Sequence, residues 1–138
     1  MARIVLTDAK VTINGVNLSD HIASITINQS NDVVETTAFS NTAKTRVAGL
    51  ADNSVTLEFH QDFASSNVEA TINGSTSLVG TVTAIVVTPT SGSVSATNPS
   101  YSFNALVAEW TPLNGSVGEL STASVTWPIS GAITKATA

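Results

Sequence analysis

Ser54-Val55-Thr56-Leu57-Glu58-Phe59-His60 alternates without a break. Successive side chains of a strand point to opposite faces, so Val55, Leu57 and Phe59 share one face and Thr56, Glu58 and His60 the other. A seven-residue run with one apolar and one polar face is a half-buried strand, with Leu57 and Phe59 turned to the core.

The same period of two recurs on either side. Val11 and Ile13 alternate with Thr12 and Asn14, and Asn14-Gly15 supplies a hairpin turn. Ala23, Ile25 and Ile27 alternate with Ser24, Thr26 and Asn28. Gly80 to Thr88 reads as a strand whose second half, Ala84-Ile85-Val86-Val87, is apolar on both faces, which predicts packing on each side. Tyr101, Phe103, Ala105 and Val107 repeat the alternation, with Leu106, Ala108 and Trp110 on the opposite face. Thr126-Trp127 and Ile133 belong to the last strands.

Three stretches break the pattern. Residues 40–54 read as a long polar loop holding Lys44, Arg46, Gly49 and Asp52. Residues 65–73 form the one candidate helix: Ser65 or Ser66 caps it, Glu69 sits near its start, and Gly74 ends it. Val68 and Ile72, four apart, face the sheet. Pro112 to Ser121 is a glycine-bearing loop. No repeat or linker divides the chain, so residues 1–138 read as one domain. The fold class is mostly β, a β-sandwich or partly open barrel with one short α-helix packed on it.

Composition supports that reading and excludes several functions. Of 138 residues only 11% are charged, against roughly 25% in ordinary soluble domains. Eighteen Ser, 20 Thr and 16 Val take their place, a mixture suited to pleated surfaces and turns. So few charges leave a monomer weakly protected against self-association. A net charge of −5 with five basic residues argues against a protein that grips nucleic acid through its phosphates. With no cysteine there is neither disulfide nor thiolate metal site. The N-terminus lacks the apolar run of a signal peptide, and no segment nears the ~20 apolar residues of a membrane span. The expectation is a protein made in a cytoplasm.

Catalytic and metal chemistry find little footing. His60 and Asp62 are two apart and can share a strand face, but a metal needs three or four ligands and His21 is distant in sequence. No nucleophile-elbow serine and no phosphate-cradling glycine loop is present. The chain is therefore expected to be no enzyme and to need no cofactor. Trp110 and Trp127 could stack sugars, as in carbohydrate-binding β-sandwiches, or anchor a core or interface. The fifteen residues of the loop over 40–54 exceed most connections in a compact domain, which points either to function or to a mobile surface loop. Lys44 and Arg46 suit an acidic neighbour, and Val47 and Leu50 suit a shallow apolar pocket.

Val16-Asn17-Leu18-Ser19-Asp20-His21-Ile22, Glu35-Thr36-Thr37-Ala38-Phe39-Ser40 and Ala48-Gly49-Leu50 together resemble the opening of major tail tube proteins of long, non-contractile-tailed phages. Asp52 to Phe63 is similar to the strand after the long loop in that family, and Asn98-Pro99-Ser100-Tyr101-Ser102-Phe103 and Gly115-Ser116-Val117-Gly118-Glu119-Leu120 extend the likeness over most of the chain. Ser40 stands where many relatives would carry glycine. The resemblance implies a virion protein: rings of six subunits stacked into a tail tube, with strands of each subunit joining a β-barrel around the channel. It implies that the long loop, with Lys44, Arg46, Val47 and Leu50, reaches an adjacent ring. Its partners would be further copies of itself and the tape measure, terminator and tail-tip proteins, with DNA passing unbound and no membrane involved. Thr56, Glu58 and His60 are the candidate channel-facing residues, where a carboxylate repels phosphate. Two other readings are a head–tail connector or terminator-type phage protein and a carbohydrate-binding β-sandwich.

Overall fold

The computed structural model describes residues 3–138. Ten strands follow in chain order: β1 Lys10–Ile13, β2 Val16–Asn17, β3 Ile22–Asn28, β4 Asn31–Glu35, β5 Arg46–Ala51, β6 Ser54–His60, β7 Val82–Thr88, β8 Ser100–Leu106, β9 Thr122–Pro128 and β10 Thr134–Ala136. One α-helix, α1 (Val68–Ile72), lies between β6 and β7. The mostly β class with a single short helix is as the sequence predicts.

The strands form a five-stranded sheet, β10-β8-β7-β1-β2, a three-stranded sheet, β3-β6-β9, and a two-stranded ribbon, β4-β5. Every pairing is antiparallel. The two larger sheets face each other across one core. Val11, Ile13, Ile85, Phe103, Ala105 and Val107 come from the first, and Val55, Leu57, Phe59, Ala123, Val125 and Trp127 from the second. An Ala105–Ile129 bridge joins the sheets along one seam, while β3 and β9 remain the outer strands of their sheet.

The deciding stretch folds as its pattern dictates. Val55, Leu57 and Phe59 are fully buried, and each residue between them is half-buried on the other face. Phe59 meets Trp110 edge-on at 5.3 Å and Trp127 tilted at 6.1 Å between ring centres, an aromatic cluster at the middle of the core. Asn14 and Gly15 both take positive φ, 51° and 83°, the twist that a two-residue hairpin turn needs between β1 and β2.

Helix α1 buries Val68 and Ile72 as their spacing predicts. Its N-cap, however, is Asn67 rather than Ser65 or Ser66, and no side chain caps it. Ser66 instead turns the chain with φ 63°. The double-sided apolar half of β7 is also covered on one face only. Ile85 and Val87 are buried, whereas Val82 and Val86 face outward and are exposed.

The larger correction concerns residues 40–54. Six of these fifteen residues form strand β5 and pair with β4, a strand that the adjacent Val33-Val34 hides from a search for alternation. The two strands prolong the β3–β6 pair. Asn28 pairs with Ser54, and three residues farther along each strand Asn31 pairs with Ala51. A bulge follows between that pair and Val33–Ala48. Gly49 sits at the bulge, where a Cβ would come within 3.2 Å of both Asp32 and Val34; this close backbone approach explains a glycine in a strand.

Candidate assembly surface

The ribbon carries the apolar residues Val47 and Leu50 and the cation Arg46 on strand β5, with Lys44 just before it. At its start Ser30 Oγ donates to the carbonyl of Asp52, and the amide of Ser30 donates to Asn53 Oδ1 at 3.2 Å. Beyond Glu35 and Arg46 the pairing continues through Thr36 N–H to the Thr45 carbonyl at 2.8 Å, with the two threonine hydroxyls 2.8 Å apart. The tip closes where Asn41 Oδ1 accepts from the amide of Ala38 at 2.6 Å. Ser40 takes φ 77°, a left-handed conformation that suits glycine and strains serine.

Nothing of the subunit's own core covers this ribbon. Every residue of β4 and β5 is exposed except Gly49. Leu50 is 81% exposed, Val33 69%, and Val47, opposite Val34, 54%. Phe39 at the tip is fully exposed. Arg46 lies opposite Glu35, so its nearest cross-strand neighbour is an acid of its own ribbon. Lys44 lies outside the strands and is exposed. The sequence reading missed Phe39, Val33 and Val34. Their signal was present as large apolar residues flanked by Asp32, Glu35 and polar threonines, without the alternation that marks a half-buried strand.

Thr56, Glu58 and His60 lie on the face of the β3-β6-β9 sheet turned away from the core. The register sets Thr56 between Thr26 and Thr126, and Glu58 between Ser24 and Ser124; the Thr56 and Thr126 hydroxyls are 3.2 Å apart. This face is a hydroxyl surface with Glu58 as its acid. Helix α1 does not cover it, since Val68 and Ile72 belong to the core.

At the end of the β3–β6 pair far from the ribbon, His21 precedes β3 and Asp62 follows β6. His21 Nε2 is 2.7 Å from Asp62 Oδ2, and its Nδ1 is 2.8 Å from Asp20 Oδ1. The hydrogen bond to Asp20, and then that to Asp62, hold the imidazole above its ordinary 6.5 although burial pulls it down. Asp62 is held below 3.8, first by the amide of Ala64 and then by His21. The histidine that meets Asp62 is thus His21 and not the sequence neighbour His60. Among the described residues no three His, Asp or Glu side chains gather as a metal site.

The tryptophans are committed elsewhere. Trp127 is fully buried and its Nε1 donates to the Glu109 carbonyl at 2.8 Å. Trp110 packs on Phe59 and donates to Glu69 Oε2 at 2.9 Å. Trp127 is thus sealed away from any sugar, and the partly buried Trp110 is tied to the core. An open groove of about 250 Å³ runs beside β3, lined by Leu6, Ala9, Ser19, Ile22, Ala23 and Ile25 among others. No described helix is long and apolar enough to cross a membrane.

No family model matches the chain, and no curated protein sequence matches it. Solved structures share its fold. A chain from the tail of an empty GTA particle, refined helically with C6 symmetry, superposes with a TM-score of 0.56 at 17% identity, covering 86% of this chain and 83% of that one. A chain of the six-fold symmetrised baseplate of the anti-feeding prophage superposes with a TM-score of 0.54 at 9% identity over 99% and 98%. At such identities the likeness is one of fold alone, shared with a chain of a C6-symmetric tail and a chain of a six-fold symmetrised baseplate.

Proposed function

We propose that this chain, one domain over residues 1–138, is a structural subunit of a phage-type tail whose copies form hexameric rings stacked into a tail tube. The observation that carries this reading is the exposed β4–β5 ribbon, with Val33, Phe39, Val47 and Leu50 all facing solvent. Fully burying one such side chain is worth about 1.5–3 kcal/mol, so an isolated subunit leaves a large stabilisation unused that a neighbouring copy recovers. Lys44 and Arg46 add orientation at the rim of that contact. The six-fold assemblies in which the fold recurs support the ring.

The β3-β6-β9 sheet supplies the inner wall. Its two outer strands, β3 and β9, are different edges, and a contact between unlike surfaces gives a ring when the repeated rotation closes, as six-fold symmetry requires. In that arrangement Thr56, Glu58 and His60 face the channel. Hydroxyls with one acid per subunit and no Lys or Arg among these residues give DNA little to hold, so the duplex passes without specific binding. The chain acts in the virion without a cofactor, membrane or catalytic step, and meets tape measure, terminator and tail-tip proteins at the ends of the tube.

Negative-stain microscopy of the purified protein tests this. Long tubes or stacked rings are the expected result. Discrete rings that never stack favour a connector- or terminator-type subunit, a reading that the fold's occurrence in a baseplate chain supports. Monomers at every concentration overturn both.

A further inference from the structure

Strand β9 ends its sheet, yet its free edge is not open along its length. Thr126 pairs with Thr56 of β6 on one side, but its backbone N–H donates to Glu109 Oε1 at 3.0 Å. Backbone groups of an antiparallel strand alternate between its two sides, so this N–H points away from β6, to the outer edge. Two residues on, at the same parity, stands Pro128, which has no N–H to offer. Toward the other end, Ser124 and Thr122 keep the donors that an added strand would take. Glu109 is itself held in place, because the buried Trp127 donates its Nε1 to the Glu109 carbonyl at 2.8 Å. A charged side chain on the exposed irregular stretch after β8 thus occupies the central donor of a strand edge.

We infer that Glu109 is a displaceable guard of the β9 edge, which keeps the free subunit from pairing through β9 and swings aside when the β3 edge of a second copy docks there. This rests on the proposed ring, in which β9 of one copy meets β3 of the next. Glu109 is exposed and outside the core, so displacing its carboxylate disturbs no packing. An unguarded strand edge is a template for unregulated pairing; a side-chain plug competes with a neighbour's strand and loses only when a whole ladder of backbone bonds replaces its single one.

The test compares wild type, Glu109→Ala and Glu109→Gln as full-length chains. In dilute monomer, amide hydrogen exchange at Thr126 should quicken about tenfold in Glu109→Ala, the loss of one hydrogen bond to a charged acceptor. Light scattering should show that variant associating at about a tenth of the wild-type onset concentration. Glu109→Gln keeps an acceptor oxygen and should stay within a few-fold of wild type in both readouts. Unchanged Thr126 exchange, or an unchanged onset in Glu109→Ala, overturns the guard. A Gln variant as fast as Ala overturns the hydrogen-bonded plug in favour of charge repulsion. If wild type never assembles, the tube reading fails by itself. The guard then survives only if Glu109→Ala associates where wild type does not, and is overturned if that variant too remains monomeric.

Discussion

Strand β6 and strand β5 are consecutive in the chain, separated by two residues, and sit in opposite surroundings. Every second residue of β6 is sealed in the core, whereas five of six residues of β5 are exposed. Both carry large apolar side chains: Val55, Leu57 and Phe59 in one, Val47 and Leu50 in the other. Within the subunit only the first set has anything to pack against. Apolar residues on β6 therefore stabilise the fold, and those on β5 add little to it; on the proposed function they serve a contact between copies. Mutations in the two strands should separate folding from assembly.

The largest effect belongs to the core. Phe59→Ala empties space between Trp110 and Trp127 and should cost about 3–5 kcal/mol, a large share of an ordinary domain's stability. Thermal melting followed by circular dichroism would read it. A variant that melts like wild type would mean that the aromatic cluster is not the centre of the core.

On the ribbon the pattern should invert. Lys44→Glu combined with Arg46→Glu sets a second carboxylate opposite Glu35, a like-charge pair costing roughly 0.2–1 kcal/mol. Melting should shift little while tube formation collapses, and raised salt should weaken wild-type assembly in the same direction. Sedimentation and microscopy on one preparation would show it. Normal tubes from the double variant would remove these charges from the contact, leaving Val47 and Leu50 to act alone.

A smaller effect belongs to the far end of the β3–β6 pair, where His21 clamps Asp62, in contrast to the free tip of the ribbon. With its folded pKa above 6.5, His21 contributes stability fully below that unfolded value, and loses it as pH rises through the raised folded one. Asp62, held below 3.8, contributes above 3.8 and loses it as pH falls through its folded value. The gap in melting temperature between wild type and Asp62→Asn should thus be widest between 3.8 and 6.5 and should narrow toward alkaline pH. A gap that is flat with pH would show that His21 is not charged against Asp62.

The smallest effect is at the tip itself. Ser40→Gly relieves a left-handed serine but loosens the unfolded chain, for a net gain of about 0–1 kcal/mol. Chemical denaturation would detect a gain. A clear loss would mean that the Ser40 side chain stabilises the turn by more than its backbone strain.

The same contrast explains what was legible in the sequence. Strand β6 could be read because burial on one face writes alternation into the chain, and Val68 with Ile72 could be read because helix burial writes a spacing of four. Strands β4 and β5 obey no such rule. Exposed on both faces, they place Val33 beside Val34 and set Gly49 at a bulge, so their pairing left no periodic trace. Long-range polar contacts were invisible for another reason: His21 meets Asp62 across 41 positions, and neither residue's neighbours announce the other. The departure at Ser40 was visible, and a positive φ stands there. The candidate residues on β5 were found by composition even though their strand was not.

The register of the long ribbon also sets an order in time. Closing the turn at residues 37–44 brings Thr36 to Thr45, after which β4–β5 and then β3–β6 can zip residue by residue, with no further long loop to close. Strand β9 has no such guide: Thr126 reaches Thr56 across 70 positions, and loop-closure entropy makes that encounter about 2 kcal/mol less favourable than one spanning some nine residues. Contacts of high sequence separation form late. A nascent chain should therefore build its projecting arm early and its β9 edge later, so that the edge and its Glu109 guard arrive together, as Ala123, Val125 and Trp127 close the core.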